Sequence, residues 1–232
     1  MIESGQMTIL IDAAHDFRFL LSRGYPRTGA LTFVGNHYQL PRDQRDVLAR
    51  GVHAPLDAIR RQNKLVRPRD LDGRSVAVDG HNVLITLESA MSGRVLVDCD
   101  DTVIRDIAEA SGSFRPSEQT GKALDMVFDF LRRHGAASVL FLLDAPVSMS
   151  GELAAQVSAT MSGQGLMGRA RAVADPDAEL ADHQGVVASS DSHVIDRVER
   201  PVDLAGLIIR QIHSPDRFIQ VRPATALGGP NR

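Results

Sequence analysis

The chain has 232 residues, 43% of them apolar and 4% aromatic, with a net charge of −3 and a single cysteine, Cys99. The apolar fraction excludes global disorder, the near-neutral charge excludes binding of nucleic acid over the whole surface, and one cysteine excludes a disulfide framework or a multi-cysteine zinc site. The start, MIESGQMTILIDAAHDF, lacks a signal peptide's basic onset and long apolar run. No window approaches the ~18 apolar residues of a membrane span, so a soluble cytoplasmic protein with no membrane partner is expected.

The front of the chain reads as short helices. DAAHDFRFLLSRG sets Ala13, Phe17, Leu20 and Leu21 at helical spacing, with Gly24 as a stop. A second helix runs through Ala30, Leu31, Phe33 and Val34, a third follows Pro41, and a fourth follows Pro55. Residues 18–69 hold eleven Arg and Lys against three Asp, a local charge of +8, which leaves −11 for the rest. A basic helical module over 1–63 is therefore expected, with KLVRPRDLDGR (64–74) as linker.

From Ser75 onward, strand-like runs alternate with helix-like ones. Strands are expected at 75–79, 95–98, 138–143, 170–174 and 186–189, and helices at 82–91, 117–134, 150–162, 177–183 and 203–213. Such alternation predicts an α/β domain, a parallel sheet flanked by helices, over 75–221. The tail, 222–232, is expected to be disordered.

Several of these runs close on acids. They read SVAVDGHN (Asp79), VLFLLDAP (Asp144), ARAVADPDAEL (Asp175, Asp177) and GVVASSDSHVID (Asp191, Asp196). In a parallel sheet all carboxyl ends share the edge where open α/β folds bind ligands. Two carboxylates ~4 Å apart repel by roughly 4 kcal/mol at an effective dielectric of 20. A cluster of them needs protons, basic partners or a cation, and oxygen-only ligands favour Mg²⁺ or Mn²⁺. Any one of these Asp could equally cap the helix behind it. Asn82 could cap a helix or orient Asp79 and a ligand water. Ser189 and Ser190 could support Asp191 or simply shape the turn.

The ordered set D-G-x-N, L-D-A, A-D-x-D and S-S-D resembles the PIN-like nuclease superfamily, nearest its NYN-type ribonucleases. With LLSRGYPR and FVGNHYQL in front, the whole chain resembles the domain-of-unknown-function 434 family, a short helical module joined to a PIN-like domain. The resemblance implies a metal-dependent endoribonuclease fold. Asp79, Asp144 and Asp191 would be metal-binding acids, and Asp177 or Asp175 the fourth. Asn82 would be the hallmark amide, with Ser190 and Asp196 in support. Pro176 splits the third acidic step and His81 sits inside the hallmark, both departures from the pattern.

A rival lies in RVLVDCDDTVI, where Asp98-x-Asp100-x-Thr102 resembles the nucleophile motif of haloacid-dehalogenase-type phosphatases. Asp191 and Asp196 could stand in for that family's late acids, and Lys122 for its lysine. Against it, VDGHN precedes the motif, and the second core strand ends in Asp144 instead of Ser or Thr. In the basic module, Arg23, Tyr25, Arg27, Tyr38, Arg42 and Arg45 are candidates for RNA backbone and base contacts. They could equally pair within the protein, and a non-catalytic RNA- or protein-binding adaptor is the third reading. Homo-oligomerisation stays open.

Overall fold

The computed structural model describes residues 4–107 and 114–222. Four helices come first, α1 (Ser4–Ser22), α2 (Arg27–His37), α3 (Arg42–Gly51) and α4 (Pro55–Lys64). Next are β1 (Ser75–Asp79), α5 (Gly80–Met91) and two short strands, β2 (Leu96–Asp98) and β3 (Ile104–Asp106). The rest runs α6 (Glu118–Arg133), β4 (Ser138–Asp144), α7 (Ser150–Gly163), β5 (Gly168–Val173), α8 (Pro176–Ala181), β6 (Val186–Ala188), α9 (Ser192–Arg197), β7 (Pro201–Val202), α10 (Leu204–Ile212) and β8 (Ile219–Gln220).

These elements fall into two compact units, and the first is discontinuous in sequence. It takes the chain up to Asn63, then Val95–Ile107, then Asp216 onward. The second takes Lys64–Arg94 and Ala108–Pro215. This corrects two expectations. The strand expected at 95–98 does not join the main parallel sheet; it centres a small sheet of order β3-β2-β8 in the first unit. The first unit is therefore not purely helical. An apolar run such as RVLVD looks alike whichever core it enters. The stretch expected to be a linker is also built in. Leu71 is fully buried, the Val66 N–H donates to the Pro201 carbonyl, and Asp72 bridges to Ala136. The expected disordered tail lies outside the described residues, except for Arg222.

The core of the first unit joins Leu10, Phe17, Val34 and Leu48 from the front helices to Val97, Cys99 and Val221 from the later segments. Gly51, at the end of α3, permits this approach: a Cβ there would stand 2.7 Å from the Val97 side chain and 2.8 Å from that of Val221. Charge ties the same segments together. Arg18 donates two bonds of 2.8 and 2.7 Å to Asp100, which also accepts the His53 backbone N–H at 3.0 Å. Asp101, fully buried, accepts two bonds of 2.7 and 2.8 Å from Arg105, with Arg61 at 3.4 Å. Burial opposes ionisation of Asp101, but Arg105, and then Arg61, hold its carboxyl well below the usual range. Burial and then Arg105 push His53 down to about 3, so it sits neutral among the guanidiniums.

In the second unit the sheet runs β5-β4-β1-β6-β7, all parallel. Its faces follow the two-residue period of the strands. Ala77, Leu142 and Val187 pack with Leu180 of α8 and with Val194 and Val198, covering one side. On the other, Phe141 meets Phe128 of α6 edge-on, with ring centroids 6.3 Å apart. Gly80 opens α5 on that side. A Cβ there would lie 2.4 Å from Phe141 and 2.6 Å from the Leu142 carbonyl oxygen, so only glycine lets the helix start so close to β4.

Two predictions follow from the first unit. Asp101→Ala strands Arg61 and Arg105 without their acid, and should cost about 3–5 kcal/mol, read as a fall in the midpoint of chemical denaturation. A fragment of residues 1–63 lacks Val97, Cys99, Val221 and all three acids of the 98–101 turn. It should show no cooperative unfolding by circular dichroism; a sharp transition would show that the later segments are dispensable.

Candidate active site at the carboxyl edge of the sheet

The connection after β1 leads towards β4, while that after β6 leads to β7. The strand order therefore reverses between β1 and β6, where an open parallel sheet leaves a crevice beyond its carboxyl ends. Side chains stitch that point together. Asp79, the last residue of β1, is 8% exposed, and its Oδ2 accepts a 2.7 Å bond from Ser189 Oγ. The same Oγ accepts the Asp191 backbone N–H at 3.0 Å. Next to it, the Ser190 backbone N–H and hydroxyl both donate to Asn82 Oδ1, each at 2.8 Å. With its oxygen so occupied, Asn82 has a fixed amide orientation and keeps two N–H donors for another partner.

The acids at this edge feel one another. Burial, and then the charges of Asp177, Asp191 and Asp144, push Asp79 up to about 7 against the opposing Ser189 hydrogen bond. Asp177 is also raised, first by partial desolvation and then by Asp191, Asp175 and Asp144, with Arg197 acting the other way. Of the two candidates for the fourth acid, Asp175 is the N-cap of α8, its Oδ1 accepting the Ala178 N–H at 3.0 Å. Asp177 makes no such cap. Asp191 combines both readings open to it: it belongs to the cluster, and its Oδ1 caps α9 through a 2.6 Å bond from the His193 N–H. Asp196 lies further along α9 and does not figure among the charges that raise Asp79 or Asp177. His81 contacts Asp144, with Nδ1 3.0 Å from Oδ2, a pairing between residues 63 positions apart that local pattern does not reveal. The only signal was an imidazole where the strand turns into the helix.

An oxygen-only donor set suits a hard divalent ion. Among the described residues, however, no three His, Cys, Asp or Glu side chains converge to hold one. The residues present therefore fit an ion that takes one or two carboxylates and completes its shell with water and phosphate oxygens, the usual habit of Mg²⁺.

Of the other sequence candidates, Lys122 lies in the second unit, paired with Glu118 at 2.7 Å, and the rest lie in the first. Asp98 pairs with Arg222 and Asp100 with Arg18, so both acids of the phosphatase-like motif are engaged by guanidiniums. Among the proposed RNA contacts, Arg27 donates to the Ala49 and Val52 carbonyls. Arg45 donates to the Leu40 and Gly35 carbonyls and to Asn36 Oδ1. Tyr38 donates its hydroxyl to Asp16 at 2.8 Å. These three fasten helix ends and turns. Arg23 lies over the Phe19 ring at 5.1 Å, Tyr25 is 58% exposed, and Arg42 is exposed near Asp46.

No helix among the described residues is long and apolar enough to cross a membrane. No solved structure matches the chain. An uncharacterised protein of Methanocaldococcus jannaschii is 36% identical over 194 residues, which cover 83% of this chain and 92% of that protein. Residues 9–64 match a protein family of unknown function, DUF434, and residues 68–207 match a domain of unknown function, DUF5616. The chain thus belongs to the DUF5616 family, with a DUF434 segment preceding its α/β domain.

Proposed function

We propose that the second unit is a PIN-like nuclease domain that hydrolyses RNA phosphodiesters with Mg²⁺ or Mn²⁺. One observation carries this reading. Asp79 and Asp144 end the adjacent parallel strands β1 and β4, Asp177 and Asp191 follow β5 and β6, and the last two together with Asp144 push Asp79 up. Negative charge gathered beside a strand-order reversal calls for a cation and a ligand able to bring one. A divalent ion held there by Asp79 with Asp144 or Asp191 would neutralise the scissile phosphate and lower the pKa of the attacking water.

The chain's own groups have distinct tasks. Ser189 holds Asp79 in place, and Ser190 turns the Asn82 amide so that its N–H groups can bind a phosphate oxygen. Asp177, exposed and uncapped, is assigned the proton from water. RNA as the polymer rests on the D-G-x-N resemblance and on the exposed Arg23, Tyr25 and Arg42 of the first unit. The phosphatase reading is weakened because Arg222 and Arg18 already engage Asp98 and Asp100. A non-catalytic binding domain is the second reading, favoured by the lack of three converging donors among the described residues.

The test is cleavage of labelled single-stranded RNA with Mg²⁺ or Mn²⁺. Asp79→Asn and Asp191→Asn should abolish it, and Asp177→Asn should slow it by roughly 10²–10⁴-fold. Equal cleavage by all four proteins, or none by wild type, removes the nuclease reading.

Stability without the ion gives an independent check. Because Asp79 is raised, the folded chain keeps a proton that the unfolded chain releases near pH 4. The associated stability is present below about pH 4 and is lost as pH rises through about 7. At pH 8, Asp79→Asn should therefore raise the Tm of the metal-free protein, by roughly 2–4 °C for each kcal/mol recovered. A Tm at or below that of wild type would mean that Asp79 carries no unrelieved charge.

A further inference from the structure

We propose that His81 is a positioning residue that clamps Asp144 through its Nδ1 proton and leaves the other carboxylate oxygen for a ligand. The ring is 2% exposed, and Gly80 brings it against the end of β4 by letting α5 begin in contact with Phe141 and Leu142. Two groups of Asp144 compete for Nδ1: Oδ2 at 3.0 Å and the backbone N–H at 3.1 Å. A ring nitrogen cannot donate to one and accept from the other at once. A charge-assisted N–H···O⁻ bond is about twice as strong as a neutral one, so the carboxylate prevails and the proton sits on Nδ1.

The far side of the ring agrees with this. Nε2 is buried with no hydrogen-bond partner. A bare Nε2 leaves no N–H stranded there, and the ring packs T-shaped on Phe114 with centroids 5.2 Å apart. Asp144 is 41% exposed, so without this bond its carboxylate would turn freely in water. With it, Oδ2 is committed and Oδ1 has one place to stand. Only the effect on ion binding rests on the nuclease reading; the clamp itself does not.

The experiment therefore has two arms, on the full chain. In the first, nitrogen-15 shifts of labelled histidine, assigned to His81 by its loss in His81→Phe, report the tautomer of the wild type. A protonated Nδ1 with a bare Nε2 is expected; the reverse overturns the proposal, whether or not any ion binds. In the second, Mn²⁺ affinity is measured by electron paramagnetic resonance in the presence of an uncleavable phosphorothioate RNA. His81→Phe keeps the ring against Phe114 but has no donor, and should weaken binding about 10–100-fold. His81→Asn sets an amide N–H where Nδ1 stands and should restore most of that loss. Equal affinity in wild type and His81→Phe, or no rescue by Asn in a protein that melts normally, also overturns it. Absence of Mn²⁺ binding by wild type counts against the nuclease reading alone, and the nitrogen shifts then decide.

Discussion

A parallel sheet makes all its strands end on the same side, and that constraint organises the second unit. Each run of β-branched and apolar residues that joins β1 delivers its last residue to one edge. Because β1, β4, β6 and the segment after β5 all deliver acids, the edge gathers negative charge that Arg197 and His81 offset only in part. The Ser189 and Ser190 hydroxyls do not remove the repulsion. They fix where it is concentrated, by holding Asp79 and Asn82 across the point where the strand order reverses.

Much of this was legible in the sequence, and the part that was not has a physical pattern. The strand ends Asp79, Asp144 and Asp191 could be read because a β run followed by a helical period fixes a carboxyl end without reference to anything distant. Asp175 and Asp177 could not be separated, since that choice depends on which backbone N–H the side chain reaches once Pro176 has started α8. The six residues in α9 are too few for a period to appear. His81 escaped because its meaning depends on Asp144, 63 positions away. The arginines were ambiguous for a related reason. A guanidinium that fastens carbonyls, as in Arg27 and Arg45, looks the same in sequence as one facing phosphate. Asp98 and Asp100 had the look of a catalytic motif because their arginine partners, Arg222 and Arg18, lie far along the chain.

The acids of the 98–101 turn and those of the sheet edge have different surroundings. In the first unit, every acid of the 98–101 turn that is buried has a guanidinium beside it, and His53 stays neutral to keep the balance. Those groups hold structure. At the carboxyl edge of the second unit, Asp79 stands among Asp144, Asp177 and Asp191, with Arg197 acting on Asp177 and His81 against Asp144. The contrast separates a structural cluster from a candidate reactive one more clearly than motif spacing does, since the same residue types fill both.

The discontinuity of the first unit has a further consequence, during synthesis. The front helices emerge early, but β8, Val221 and the Arg222 partner of Asp98 come roughly 160 residues after Asn63. At ordinary elongation rates that is a wait of roughly 8–32 seconds. Arg18 and Arg61 gain Asp100 and Asp101 early in that interval, but the apolar faces of the nascent front stay without Val221 to its end. The second unit's sequence is complete at Pro215, so the domain begun first is the last whose residues are all made.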